Sequence, residues 1–222
     1  MKIRHRFVIV VWLLSSLAMA AEHPGVIRGL VVDESGVPVA AVQVSIDAMD
    51  GLPRLAPVRM AETDKNGHFS IDNLELGSYK VFAKKESAGY PDMSYAFYSN
   101  QIFTTATLIA NSPAADVSLR VGPKAGTVWG LVTDSATNKP VATTFTLRRV
   151  DLPDEWVSIG QRSDYRILIP SSTKVSLEVS APGYKVWQFP RDAGTAGGSL
   201  LDLAPGEQKR IDIRLQPEAG TN

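Results

Sequence analysis

Few side chains in this sequence combine the type and spacing that chemistry requires. Beyond the first ten residues the histidines are His23 and His68. Neither belongs to a His-x-x-Glu, so a zinc ion held by two His and a Glu is excluded. A Ser-His-Asp arrangement would have to use His68, and no Gly-x-Ser-x-Gly elbow accompanies it. Asp64-Lys65-Asn66-Gly67 resembles the start of a calcium loop but carries too few of the oxygen ligands such a loop needs. Asp151, Asp154 and Glu155 place three carboxylates within five residues. Pro153 interrupts them, and a solvated loop is expected rather than a cation site. There is no cysteine, which removes disulfides, thiolate metal sites, a Cys nucleophile and a lipidated Cys. No catalytic residue, no metal site and no cofactor is expected; the chain reads as a non-enzyme.

Aromatic side chains are the remaining source of specific contact. Tyr90 to Tyr98 holds four aromatics in nine residues, and Tyr184, Trp187 and Phe189 follow one glycine, Gly183. Polar-tipped aromatics suit interfaces and ligand sites. The competing use is to cap the cores and a seam between domains. The candidate ligand-binding residues are Trp129, Trp187, Tyr184, Tyr95 and Tyr98.

The elements that must position these residues are strands. Val42-Gln43-Val44-Ser45-Ile46, His68-Phe69-Ser70-Ile71 and Tyr79-Lys80-Val81-Phe82-Ala83 alternate apolar and polar with period two, as a half-buried strand does. No window shows sustained helical spacing. Gly, Pro, Asn and Asp separate the runs, and Asn66-Gly67 is a hairpin signal because both residues tolerate positive φ. Many short strands at this spacing make the chain all-β, a sandwich or a barrel. Alternation directs Ile27, Gly29 and Val31 to one face, and in the second half Val128, Gly130 and Val132 inward with Trp129 outward.

The first residues have a different purpose. Met1 to Arg6 is basic, Phe7 to Leu14 is uncharged, and Ala18-Met19-Ala20 is an Ala-x-Ala arrangement, the three parts of a secretory signal peptide. The uncharged stretch from Phe7 to Ala21 has 15 residues, against roughly 20 for a spanning helix. Cleavage is expected between Ala20 and Ala21. The 222 residues carry 23 basic and 23 acidic side chains; without Lys2, Arg4 and Arg6 the mature 202 residues carry a formal charge of −3. That balance argues against nucleic acid and against electrostatic docking on anionic lipid.

The second half repeats the first. Val26-Ile27-Arg28-Gly29-Leu30-Val31-Val32-Asp33 aligns with Thr127-Val128-Trp129-Gly130-Leu131-Val132-Thr133-Asp134, at an offset of 101. Pro38-Val39-Ala40 falls on Pro140-Val141-Ala142, and Gly89-Tyr90 on Gly183-Tyr184. The halves close with the alternating runs Asp116–Val121 and Arg210–Leu215. Within the first copy come Gly29-x-Val31-x-Asp33, Gly36-x-Pro38-Val39, Thr63-Asp64-x-x-Gly67-x-Phe69-x-Ile71, Leu74-x-x-Gly77-x-Tyr79-x-Val81 and Ala88-Gly89-Tyr90. This order resembles the carboxypeptidase regulatory-like domain, a transthyretin-like sandwich with a carbohydrate-binding-like fold. The second copy is divergent, with Ser163-Asp164-Tyr165-Arg166-Ile167 in place of Thr-Asp-x-x-Gly. The resemblance implies about seven antiparallel strands per Greek-key sandwich and carries no catalytic residues. Purine-degrading hydrolases of this fold end in Tyr-Arg-Gly-Ser, which this chain lacks. Strands Val26–Val32 and Thr127–Thr133 also lack the Lys of an isopeptide crosslink.

The expected layout is a signal peptide (1–20), a first sandwich (21–122), a linker (123–126), a second sandwich (127–217) and a disordered tail (218–222). The expected protein is secreted or periplasmic, binds no nucleic acid and keeps no stable membrane insertion. Its expected task is to bind or scaffold a protein or glycan partner in the envelope or outside it. The alternative is a carbohydrate-binding module using its exposed aromatics.

Overall fold

The computed structural model describes residues 24–49, 59–99, 103–189 and 200–218. The signal segment, Ala20, Ala21, His23 and the tail after residue 218 lie outside the described residues. In the first half the elements are β1 (Gly25–Val32), β2 (Gln43–Ala48), β3 (Met60–Glu62), β4 (His68–Leu74), β5 (Gly77–Lys84), the single-turn helix α1 (Ala96–Ser99), β6 (Thr104–Leu108) and β7 (Ala114–Arg120). They make two sheets, ordered β4-β1-β7 and β3-β2-β5-β6. Alternation selects the faces that meet: Ile27, Val31, Val44, Phe69, Ile71, Tyr79 and Val81 are buried between the sheets.

The second half runs the same course. Its strands are β8 (Gly126–Asp134), β9 (Thr143–Arg149), β10 (Trp156–Gln161), β11 (Asp164–Ile169), β12 (Val175–Ser180), β13 (Trp187–Gln188), β14 (Gln208–Arg210) and β15 (Ile213–Leu215). One sheet is β10-β9-β12-β13; in the other β8 lies between β11 and the β14/β15 pair. Val128, Val132, Phe145, Leu147, Ile167 and Leu177 form its separate core. Trp129 points outward, as alternation requires, and is 38% exposed.

Gly29 and Gly130 occupy matching places for one steric reason. A Cβ on Gly29 would stand 2.3 Å from the Val117 carbonyl oxygen, and one on Gly130 2.2 Å from that of Ile211. The neighbouring backbone, β7 at Gly29 and the break between β14 and β15 at Gly130, is so close that only hydrogen fits. The Asp that ends each first strand is also used alike. Asp33 Oδ1 accepts the N–H groups of Ser35 and Val37 at 2.8 and 2.9 Å, and Asp134 Oδ1 those of Ala136 and Thr137 at 2.7 and 2.8 Å.

Three details differ from the sequence expectation. The closing strands β7, β14 and β15 pair with β1 or β8 in parallel, not antiparallel. They return from the far sheet and enter beside the first strand in its own direction. The Asn66-Gly67 turn is not a hairpin within one sheet, because β3 and β4 belong to different sheets. Asp64 closes it by accepting the N–H groups of Asn66 and His68. The turn also lies beneath β1, where the Gly67 carbonyl accepts the Val31 N–H at 2.9 Å. Finally, the second closing run is broken. Asp212 Oδ1 accepts the Leu131 N–H at 3.1 Å, and the Tyr165 hydroxyl donates to the Ile211 carbonyl at 2.6 Å. In the first sandwich the residue opposite the glycine is Phe69, which has no hydroxyl to do this.

Acid stability of the second sandwich should depend on Asp134. The Thr137 N–H, then the Tyr184 hydroxyl at 2.9 Å, hold its carboxyl below the usual range. Its stabilisation is therefore complete above the unfolded value of about 3.9 and is lost as pH falls through the folded value. Asp134→Asn should lower stability near neutrality and flatten the loss between about pH 5 and pH 2. Unfolding midpoints measured against pH check this; parallel curves for the two proteins would refute it.

Candidate binding site

The segment between β5 and β6 builds the site. It leaves β5 through a turn closed by paired Lys85 and Tyr90 backbones, with Gly89 at φ +88°. Asp92 then fixes the approach to α1. Its Oδ2 accepts from Lys84 Nζ at 2.8 Å, and its Oδ1 from the Ser94 N–H and hydroxyl at 3.0 and 2.7 Å. Burial alone would raise the Asp92 carboxyl, but the Lys84 and Ser94 bonds outweigh it and hold it below the usual range. The same contact holds the Lys84 ammonium above its usual value.

With its start fixed, α1 inserts into the other half of the molecule. Phe97 is 1% exposed and belongs to the core of the second sandwich, not the first. Tyr98 packs edge-on to it at 5.0 Å and donates its hydroxyl to the Leu168 carbonyl at 3.0 Å. Burial pushes the Tyr98 hydroxyl far up, so it stays a donor at any physiological pH. The buried Arg149 guanidinium donates to the Phe97 carbonyl at 3.1 Å and forms a bidentate pair with Asp151. Asp151 is thus engaged by Arg149, and among the described residues no cluster of three or more metal-ligating side chains occurs.

Beside this anchor lies a cleft of about 550 Å³. Glu86, Pro91, Asp92, Tyr95 and Tyr98 of the first half form one wall. Trp156, Val157, Ser158, Ile159 and Gln161 of β10, with Arg166 and Leu168 of β11, form the other. Tyr95 and Trp156 are each more than half exposed. The Arg148 guanidinium lies 5.8 Å from the Trp156 ring centroid, within cation–π range.

The cleft brings together two of the five aromatic candidates, Tyr95 and Tyr98. The other three do not line it. Trp129 lies on the outer face of β8 under the Arg210 guanidinium, 5.1 Å from its ring centroid. Tyr184 and Trp187 pack against the second core, with the Tyr184 hydroxyl on Asp134 and Trp187 edge-on to Phe189 at 6.4 Å. Trp156 was not among the sequence candidates. The alternating run Trp156-Val157-Ser158-Ile159 carried the signal, as the first residue of a strand that follows an acidic loop.

In class, the chain is a protein of successive β-sandwiches joined through a shared anchor. Residues 26–120 match the carboxypeptidase regulatory-like domain family. No curated protein matches the chain. Among solved structures it is similar to the Bacillus anthracis TIE protein, at 13% identity and TM-score 0.36, over 88% of this chain and 34% of that one. It is similar to a streptococcal ancillary pilin at 14% identity and TM-score 0.36, over 89% of this chain and 63% of that one. A DUF3823 family protein from Bacteroides ovatus is similar at 12% identity and TM-score 0.33, over 74% of this chain and 94% of that one. The chain thus spans about a third of the first protein and under two thirds of the second.

Proposed function

We propose that this is an exported, non-enzymatic binding or scaffold protein whose partner, in the cell envelope or outside it, seats in the cleft between the two sandwiches. Residues 1–20 act as the export signal, and residues 127–217 are a divergent second copy of the first domain. The shared strand course and the matched Gly29/Gly130 and Asp33/Asp134 pairs support that copy. One observation carries the functional reading: Phe97 is seated in the second core, so the two walls of the cleft are held in one geometry before a partner arrives. A preorganised surface spends little binding energy on ordering.

Tyr95→Ala and Trp156→Ala should remove binding with little effect on stability, since exposed positions change stability by less than about 0.5 kcal/mol. Binding of the purified chain to envelope fractions and to a glycan array, beside its unfolding midpoint, measures both. Retained binding in both variants would refute the cleft. The glycan alternative keeps Tyr95 and Trp156 as stacking faces, and array binding that both variants lose would favour it.

A further inference from the structure

Among the described residues the outer edge of β10 is unpaired, and its makeup is unusual. Its six residues, Trp-Val-Ser-Ile-Gly-Gln, contain no charge and no proline, and none is fully buried. Natural sheets guard open edges with charged residues, proline or very short strands. The other edges among the described strands follow that rule. β3 and β13 have three and two residues. β4, β7, β11, β14 and β15 carry Asp, Arg or Lys, and the uncharged β6 lies against β7.

Register shows which backbone groups β10 leaves open. Trp156 is paired with Arg148 in an antiparallel ladder, and the Arg149 N–H donates to the Glu155 carbonyl. Hydrogen-bonded and non-bonded pairs alternate in such a ladder. Val157, Ile159 and Gln161 therefore turn their backbone groups to β9, whereas Trp156, Ser158 and Gly160 turn theirs away. No described residue bonds those outward groups. Trp156 and Ser158 line the cleft, and a side chain at Gly160 would meet open space.

We propose that this edge is a strand-addition site for an extended, near-neutral peptide segment of a partner protein, a proposal that rests on the cleft being the binding surface. Donor and acceptor pairs repeating every second residue, about 6.6–6.8 Å apart, match the backbone of another strand. Main-chain bonds of this kind give affinity, and flanking side chains give choice of sequence. The charge of the segment follows from the walls. Glu86 and Asp92 face Arg166 across the cleft, and Lys84 neutralises Asp92.

The test is panning of a random dodecapeptide library on the full chain, followed by amide spectra and hydrogen exchange of the protein with the selected peptide. The expected result is protection confined to the Trp156, Ser158 and Gly160 amides. Ser158→Pro removes one outward N–H and leaves the β9 ladder intact, a change edge strands tolerate. It should weaken binding about tenfold, while Ser158→Ala should not. Methylating alternate amide nitrogens of the peptide should abolish binding in one phase only. That phase signature stands even if the proline variant fails to fold. If Tyr95→Ala abolishes peptide binding and neither Ser158→Pro nor methylation affects it, the cleft survives and strand addition falls. No enriched peptide, protection of the same amides by self-association, or an array sugar displacing the peptide without protecting those amides would each overturn the proposal.

Discussion

Phe97→Ala is expected to cost about 3–5 kcal/mol, the range for removing a fully buried phenylalanine ring, and the loss should fall on the sandwich to which Phe97 does not belong by sequence. The ring is 1% exposed and packs in the core of the second sandwich. Its removal leaves a cavity in that core and loosens the α1 turn whose carbonyl Arg149 holds. Hydrogen exchange resolved along the chain is the decisive measurement: β8 to β15 should exchange faster in the variant, with β1 to β5 unchanged. Phe97→Leu should cost markedly less, because most of the volume is kept. A loss confined to the first sandwich would mean that α1 does not anchor the second.

The second large effect is directional. Gly29→Ala forces a Cβ to within 2.3 Å of the Val117 carbonyl oxygen and 2.8 Å of the Phe69 ring; Gly130→Ala forces one to within 2.2 Å of the Ile211 carbonyl oxygen. The Val117 oxygen is held in the parallel β1–β7 ladder and the Ile211 oxygen by the Tyr165 hydroxyl, so neither swings aside as a side-chain end can. Each change should cost about 3 kcal/mol, the upper end for overpacking a closed site. Gly29→Ala loosens the sandwich that carries α1, so the second sandwich should lose protection too. Gly130→Ala should leave β1 to β7 as they were. Equal and local losses in the two variants would contradict a one-way dependence of the second sandwich on the first.

Much of the fold was legible because strands of a sandwich write their burial into alternate residues. Val42-Gln43-Val44 and Tyr79-Lys80-Val81 follow period two, and close approach leaves a glycine that cannot be hidden. Gly29 and Gly130, Asp33 and Asp134 were legible as a recurrence at one offset because each pair meets a similar backbone demand. The anchor was not. A four-residue helix has too few turns to show a period, and Phe97 among Tyr90, Tyr95 and Tyr98 has the same composition whether it caps its own core or enters the next. The parallel entry of β7 left no mark either, since alternation tells which face is buried and not which way the neighbour runs. Of the candidate site, Tyr95 and Tyr98 were found by clustering. Trp156 was not legible as a site residue, because a single aromatic at the start of a strand carries no spacing signal of its own. Trp129 faces outward from β8 as alternation requires, but its ring lies under Arg210 and away from the cleft.

Among the described residues the sandwiches are connected covalently at Gly122–Gly126 and through α1, by the seat of Phe97, the Tyr98–Leu168 bond and the Arg149–Phe97 bond. A single pivot leaves one body free to swing about it, whereas a second fixed point away from the first removes most of that rotation. Without the Phe97 ring the pair would keep the segment between β7 and β8 and the polar contacts of α1, and would hold one orientation less firmly.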